Sequence, residues 1–243
     1  MKKILILGCS YTLGSYGLSQ YSNEHRKGLD ALINNIGWWY FVDYFKNNNV
    51  TVIAFPAQGY WAYYQILLYL KEQNVLEYDE IWIQETLELR ATINNYKEIS
   101  SLFPLQKGHI INETFKLFSI DNTKILTLGK SFGSGGNSSK KEKKEHEPYS
   151  LWYSFFDEIT KLCARNIDNL CAEKNIKGYV WSMYDSIMQC NHFTRLPLTF
   201  IRQELKNNNL LVPGDHLWLH QTEEGNKYIG KLINETLCID TKI

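Results

Sequence analysis

Lys3-Ile4-Leu5-Ile6-Leu7-Gly8 is a short unbroken apolar run that stops at glycine, the pattern of a strand covered on both faces. Residues 38–47 carry apolar side chains at helical spacing and end in asparagines, which predicts a helix. Val50 to Phe55 is rich in β-branched residues and is stopped by Pro56, predicting the second strand. Trp61, Tyr64, Leu67 and Leu68 lie on or near one face of a predicted helix from Trp61 to about Gln73. Glu80-Ile81-Trp82-Ile83-Gln84 reads as a third strand. The order β-α-β-α-β with helical crossovers predicts an α/β fold, a doubly wound parallel sheet with helices on both faces.

Residues 91–148 interrupt that rhythm and read as an inserted segment. Ile110 to Phe118 and Lys124 to Leu128 suggest a hairpin around Asp121-Asn122. Gly129 to Glu147 is a Gly/Ser stretch followed by the run Lys140-Lys141-Glu142-Lys143-Lys144-Glu145. So little apolar content predicts a mobile loop, either a solvated excursion or a lid over a site. Tyr149 to Glu173 is the clearest helix, with Leu151, Phe155, Ile159, Leu162 and Leu170 among its periodic apolar positions. It feeds a strand at Gly178-Tyr179-Val180-Trp181. The last predicted helix runs from Thr222 to Leu237, with Thr222 as N-cap and Glu223 and Glu224 at its positive end.

Composition narrows the class. The 243 residues fit one α/β domain with an insertion at about 91–148. Lys+Arg and Asp+Glu both number 26, and this balance argues against nucleic acid as the main partner. No apolar run approaches the roughly 20 residues of a membrane span, and the apolar part of the first segment is too short for a signal peptide. Five cysteines, Cys9, Cys163, Cys171, Cys190 and Cys238, are widely spaced without a CxxC. That pattern favours a reducing, cytoplasmic compartment and neither zinc nor a disulfide framework.

Ligands of such sheets bind at the carboxyl ends of the strands, near the switch in strand order. Three predicted strands end there in polar loops: Gly8 to Gly14, Ala57-Gln58-Gly59-Tyr60, and Gln84 to Arg90. A fourth polar segment, Gly214 to His220, precedes the last helix. Together they supply a hydroxyl, glycine backbone donors, a side-chain amide and a histidine with a carboxylate nearby. Acyl transfer needs those roles: an activated nucleophile, an oriented base and donors for the oxyanion. Singly, Ser10 would suit a helix cap, Gly59 a turn, Arg90 a surface ion pair and His220 a structural histidine. Those separate readings leave their common placement unexplained.

Gly8-Cys9-Ser10-Tyr11-Thr12-Leu13-Gly14 resembles the first block of the SGNH (GDSL-like) hydrolases, in a Gly-Cys-Ser-Tyr/Phe-Thr form common in phage and bacterial genomes. Gly59 stands in the place of that family's oxyanion-hole glycine. His220 is followed five residues later by Gly225, similar to the family's last block. The resemblance spans the chain from first strand to last helix, apart from residues 91–148. It implies a three-layer flavodoxin-like fold of five parallel strands and a serine esterase without metal or organic cofactor. In that reading Ser10 is the nucleophile, His220 the base and Asp215 its orienting acid. Ser10, Gly59 and either Gln84 or Thr86 are oxyanion donors, and Arg90 is similar to an arginine of the same branch.

Two departures leave alternatives open. The family's third-block Asn is replaced by Gln84-Glu85-Thr86. Its Asp three residues before the His is replaced by Leu217, so either Asp215 orients His220 across a longer loop or His216 is the base. The implied substrate is an acyl, commonly acetyl, ester of a carbohydrate or other small molecule. Tyr11, Tyr60 and Trp61 would suit a sugar ring. The alternatives are an O-acyltransferase using the same residues and an inactive structural or glycan-binding domain.

Overall fold

The computed structural model describes residues 1–14, 37–54, 59–85, 149–183, 189, 191–198, 201–211 and 220–240, with four short strands between 92 and 127. Strand β1 is Lys3–Gly8, β2 Asn49–Ala54, β3 Glu80–Glu85, β4 Thr92–Ile93 and β5 His109–Ile110. Strands β6 Phe115–Phe118, β7 Leu126–Thr127, β8 Lys177–Ser182 and β9 Thr194–Arg195 follow. The helices are α1 Ser10–Leu13, α2 Asp43–Lys46, α3 Tyr60–Glu72, α4 Tyr149–Glu173, α5 Ile201–Asn207 and α6 Glu223–Asp240, with a 3₁₀ turn at Trp38–Phe41.

The main sheet has the order β5-β6-β2-β1-β3-β8-β9. Its centre, β6-β2-β1-β3-β8, is entirely parallel, and the short β9 continues the parallel pairing. The expected flavodoxin-like order is present as β2-β1-β3-β8-β9, so the order reverses between β1 and β3. Alternate residues of each strand face opposite layers. Ile4, Ile6, Val50, Val52, Trp82 and Trp181 join Trp38, Phe45, Leu205, Ile229 and Ile233 on one side. Leu5, Leu7, Ile53, Ile81, Ile83 and Val180 meet α3 and α4 on the other, through Tyr63, Leu67, Ile167 and Cys171. This gives a three-layer α/β fold. Among the described residues, no helix is long and apolar enough to cross a membrane.

Two expectations need correction. The helix over 38–47 is broken at Val42, which is extended (φ −91°, ψ 113°), into the 3₁₀ turn and α2. Asn234 of α6 reaches the break: its Nδ2 donates to the Phe41 carbonyl at 3.1 Å and its Oδ1 accepts the Asp43 N–H at 2.8 Å. The side-chain amide of a helix distant in sequence thus engages backbone groups that a continuous helix would pair internally.

The hairpin between Ile110 and Leu128 is also differently built. β6 lies parallel to β2, with Val50 opposite Phe115, and β5 is antiparallel to β6. β7 leaves for a separate pairing with β4. The interrupting segment therefore supplies a strand of the main sheet, covering the edge that β2 would otherwise expose. The Lys/Glu-rich stretch 129–147 lies outside the described residues.

Candidate active site

β1 delivers its last residue, Gly8, beside the side chain of Thr12, which occupies the space a Cβ at Gly8 would need. The glycine therefore allows the chain to turn at once into α1. Cys9 is extended (φ −104°, ψ −157°) and is the N-cap, without a side-chain capping bond. Ser10 is the first helical residue, so the capping explanation for this serine does not apply. Its side chain meets the far end of the sequence, with His220 Nε2 2.9 Å from Ser10 Oγ.

Three local features hold His220. Gln221 forms a β-bridge with Leu211, and the Thr222 N–H donates to the Leu210 carbonyl at 2.8 Å. Thr222 Oγ1 accepts the Gly225 N–H at 3.1 Å, the capping bond expected of it. A Cβ at Gly225 would lie 2.6 Å from the Leu210 carbonyl oxygen, so this first turn of α6 closes over Leu210 only with glycine there. The imidazole also lies against the Tyr11 ring, 5.0 Å between centroids at 41°.

Ser10 is 5% exposed and His220 is half-buried, so the pair sits at the surface edge of the core. A neutral imidazole with a bare Nε2 accepts the Ser10 hydroxyl proton and leaves Nδ1–H to donate elsewhere. This is the geometry of a base-activated hydroxyl.

Gly59 is buried and extended (φ −144°, ψ −169°), and it forms the N-cap of α3, with its carbonyl accepting the Tyr63 N–H at 3.1 Å. It follows β2 as Ser10 follows β1, and those neighbouring strands end in register, Gly8 opposite Ala54. Gln84 is at the end of β3 but is wholly buried, and its Oε1 accepts from Thr12 Oγ1. Trp38 Nε1 donates to the same hydroxyl at 3.2 Å. The Gln84 amide is wholly enclosed beside α1, and its Nε2 has no hydrogen-bond partner among the described residues.

The sugar platform also changes. Tyr11 and Tyr60 are each 1% exposed, one spent against His220 and the other donating to Glu85 Oε1 at 2.7 Å. Neither ring offers a face to a sugar, and half-buried Trp61 packs against the α3–α4 layer. Thr86, Arg90, Asp215 and His216 lie outside the described residues.

Glu85 was not anticipated from the sequence. Its carboxylate is fully buried and also accepts from Arg195 at 3.2 Å, so it links the start of α3, the end of β3 and β9. An ionised carboxylate can be buried only when partnered in this way. A charged residue ending an apolar strand was the available signal. Gln221 was also missed, although it adjoins His220. Among the described residues, no three His, Cys, Asp or Glu side chains are arranged to hold a metal ion.

A scan against protein-family models finds no match for the chain, and a search of curated proteins finds no significantly similar sequence.

Proposed function

We propose that this chain is a serine ester hydrolase of the SGNH type. The single observation that carries the reading is the 2.9 Å approach of His220 Nε2 to Ser10 Oγ across 210 residues of sequence. Its position agrees with the proposal, since the serine leaves β1 at the reversal of strand order, where open α/β sheets bind ligands.

In this reading Ser10 Oγ attacks an acyl carbonyl while its proton passes to His220 Nε2. The tetrahedral oxyanion is held by the backbone N–H groups of Ser10 and Gly59. His220 returns the proton to the departing alcohol, and the acyl group remains on Ser10. Water then attacks the acyl-enzyme, giving its proton to His220, and the carboxylic acid leaves as Ser10 recovers its proton. Asp215, five residues before His220, is the proposed acid that orients the imidazole. The substrate class, an acyl group on a carbohydrate or other small alcohol, follows from the sequence resemblance.

The test is labelling with a fluorophosphonate, which reacts with activated serines. We expect Ser10 to be modified and Ser10→Ala to lose both labelling and aryl acetate hydrolysis by about three orders of magnitude or more. Hydrolysis unchanged in purified Ser10→Ala would sink the proposal.

A further inference from the structure

Gln221 lies directly after His220 and is 2% exposed, and Asn226 in the first turn of α6 is wholly buried. Gln221 Nε2 donates to the Tyr11 carbonyl at 2.8 Å and to Asn226 Oδ1 at 2.9 Å. A carbonyl oxygen can only accept, so the Tyr11 contact fixes which end of the Gln221 amide is nitrogen. The second N–H then fixes the Asn226 amide as well. Gln221 Oε1 and Asn226 Nδ2 find no partner among the described residues. Two partly paired buried amides carry a desolvation cost that an apolar pair of the same size would avoid.

That cost accompanies a geometric constraint. Ser10 is bonded to Tyr11, the Tyr11 carbonyl to Gln221, Gln221 to His220, and His220 Nε2 to Ser10 Oγ. The four residues form a closed ring joining α1 to the segment before α6. Leu211 holds that segment from its other side by the β-bridge to Gln221. The Gln221 link ties the residue beside His220 to α1, in addition to the Ser10–His220 hydrogen bond and the Tyr11 ring contact.

Taking the serine-esterase reading as its basis, we propose that Gln221, oriented by Asn226, is a positioning residue that holds His220 at reacting distance from Ser10. Misplacing a catalytic group by about 1 Å can cost about a hundredfold in rate. Gln221→Leu keeps most of the volume and removes both donated bonds. We expect it to lower kcat for an aryl acetate, and the rate of fluorophosphonate labelling, by about ten- to a hundredfold, with KM within about twofold of wild type. Asn226→Leu should show the same loss of kcat. The double variant should lose no more than either single one, because the two amides act as one unit.

A folded Gln221→Leu protein with kcat within about twofold of wild type would overturn the proposal. So would kcat losses that simply add in the double variant, which would point to independent packing effects. If Gln221→Leu does not fold, Gln221→Met is read in its place. A thioether cannot donate to Tyr11, so kcat should fall there too, and wild-type kcat would overturn the proposal. Ser10→Ala runs beside every variant: if it stays active the esterase reading itself fails, whereas its inactivity with full activity in Gln221→Leu removes only the positioning role.

Discussion

The Ser10–His220 pair makes the sharpest claims at the scale of single residues. If His220 takes the serine proton, kcat/KM should decline on the acid side, as an imidazole that already carries a proton can no longer accept one. His220→Ala should cost about as much as Ser10→Ala, and the double variant little more, since groups of one catalytic unit do not add. A pH–rate profile with no acid limb would argue against the assignment. Gly225 bears on the same segment through packing. Gly225→Ala places a methyl 2.6 Å from the Leu210 carbonyl oxygen and should lower stability by about 1–3 kcal/mol in urea denaturation. The cysteines offer a control away from the site. Burial pushes the Cys163 thiol up to about 11, and burial, aided by Asp168, pushes Cys171 up to about 12. Iodoacetamide at pH 7.5 should therefore modify exposed Cys238 and spare these two, as peptide mapping will read.

Among elements, the loop before β9 is held by a side chain of α4. Asp168 of α4 is buried and accepts backbone N–H bonds from Asn191, His192 and Phe193 at 2.9–3.1 Å. His192 Nε2 also lies 2.7 Å from the Ile176 carbonyl oxygen, tying the same loop to the start of β8. Asp168→Ala would leave several donors unmatched and should cost about 3 kcal/mol, measured as a lower urea midpoint at unchanged slope. The loop leads to Arg195, whose guanidinium partners the buried Glu85 carboxylate. Loosening it should therefore also weaken the link that Glu85 makes to Tyr60 beside Gly59. Asn234 plays the equivalent part on the opposite layer, where its amide spans the break at Val42.

At the scale of the whole molecule, the two ends of the sheet carry different groups. The carboxyl end holds Ser10, Gly59 and Glu85. The amino end holds a charged cluster in which Glu80, 1% exposed, accepts from Lys2 at 2.6 Å, from Tyr44 at 2.7 Å and from Trp82 at 3.1 Å. Burial, with the Glu80 carboxylate adding to it, pushes the Tyr44 hydroxyl up to about 12 despite the Lys2 ammonium beside it. The hydrogen bond to Glu80 raises Lys2 as well. Both groups titrate higher in the folded chain than in the unfolded one. Their stabilisation is therefore complete below the unfolded tyrosine value of about 10 and drains away as pH rises through the folded values. Urea midpoints should hold to about pH 10 and fall above it, and Tyr44→Phe should flatten the first part of that fall. An equally steep decline in Tyr44→Phe would remove the tyrosine from the account.

The sequence by itself determined the elements whose pattern is local. Unbroken apolar runs place β1, β2, β3 and β8 within a residue or two, and the periodicity of Tyr149 to Glu173 matches α4 at both ends. Those signals are strong because a strand buried on both faces, or a helix with one apolar face, must write its surroundings into consecutive residues. The serine turn and the spacing from His220 to Gly225 were legible only through their resemblance to a family's motifs, and the structure supplies the steric reason for both glycines, Gly8 and Gly225. What the tertiary structure decided depends on partners distant in sequence. Val42 is extended because Asn234 engages the backbone around it, and β6 pairs with β2 because that edge has backbone groups to satisfy. Tyr11, Tyr60 and Gln84 look like ligand-facing residues in the sequence, but packing buries them. Burial depends on which layer covers a strand end, and no spacing within a loop records that. The approach of His220 to Ser10 is the same kind of fact: the residues were visible separately, and only the fold brings them to 2.9 Å.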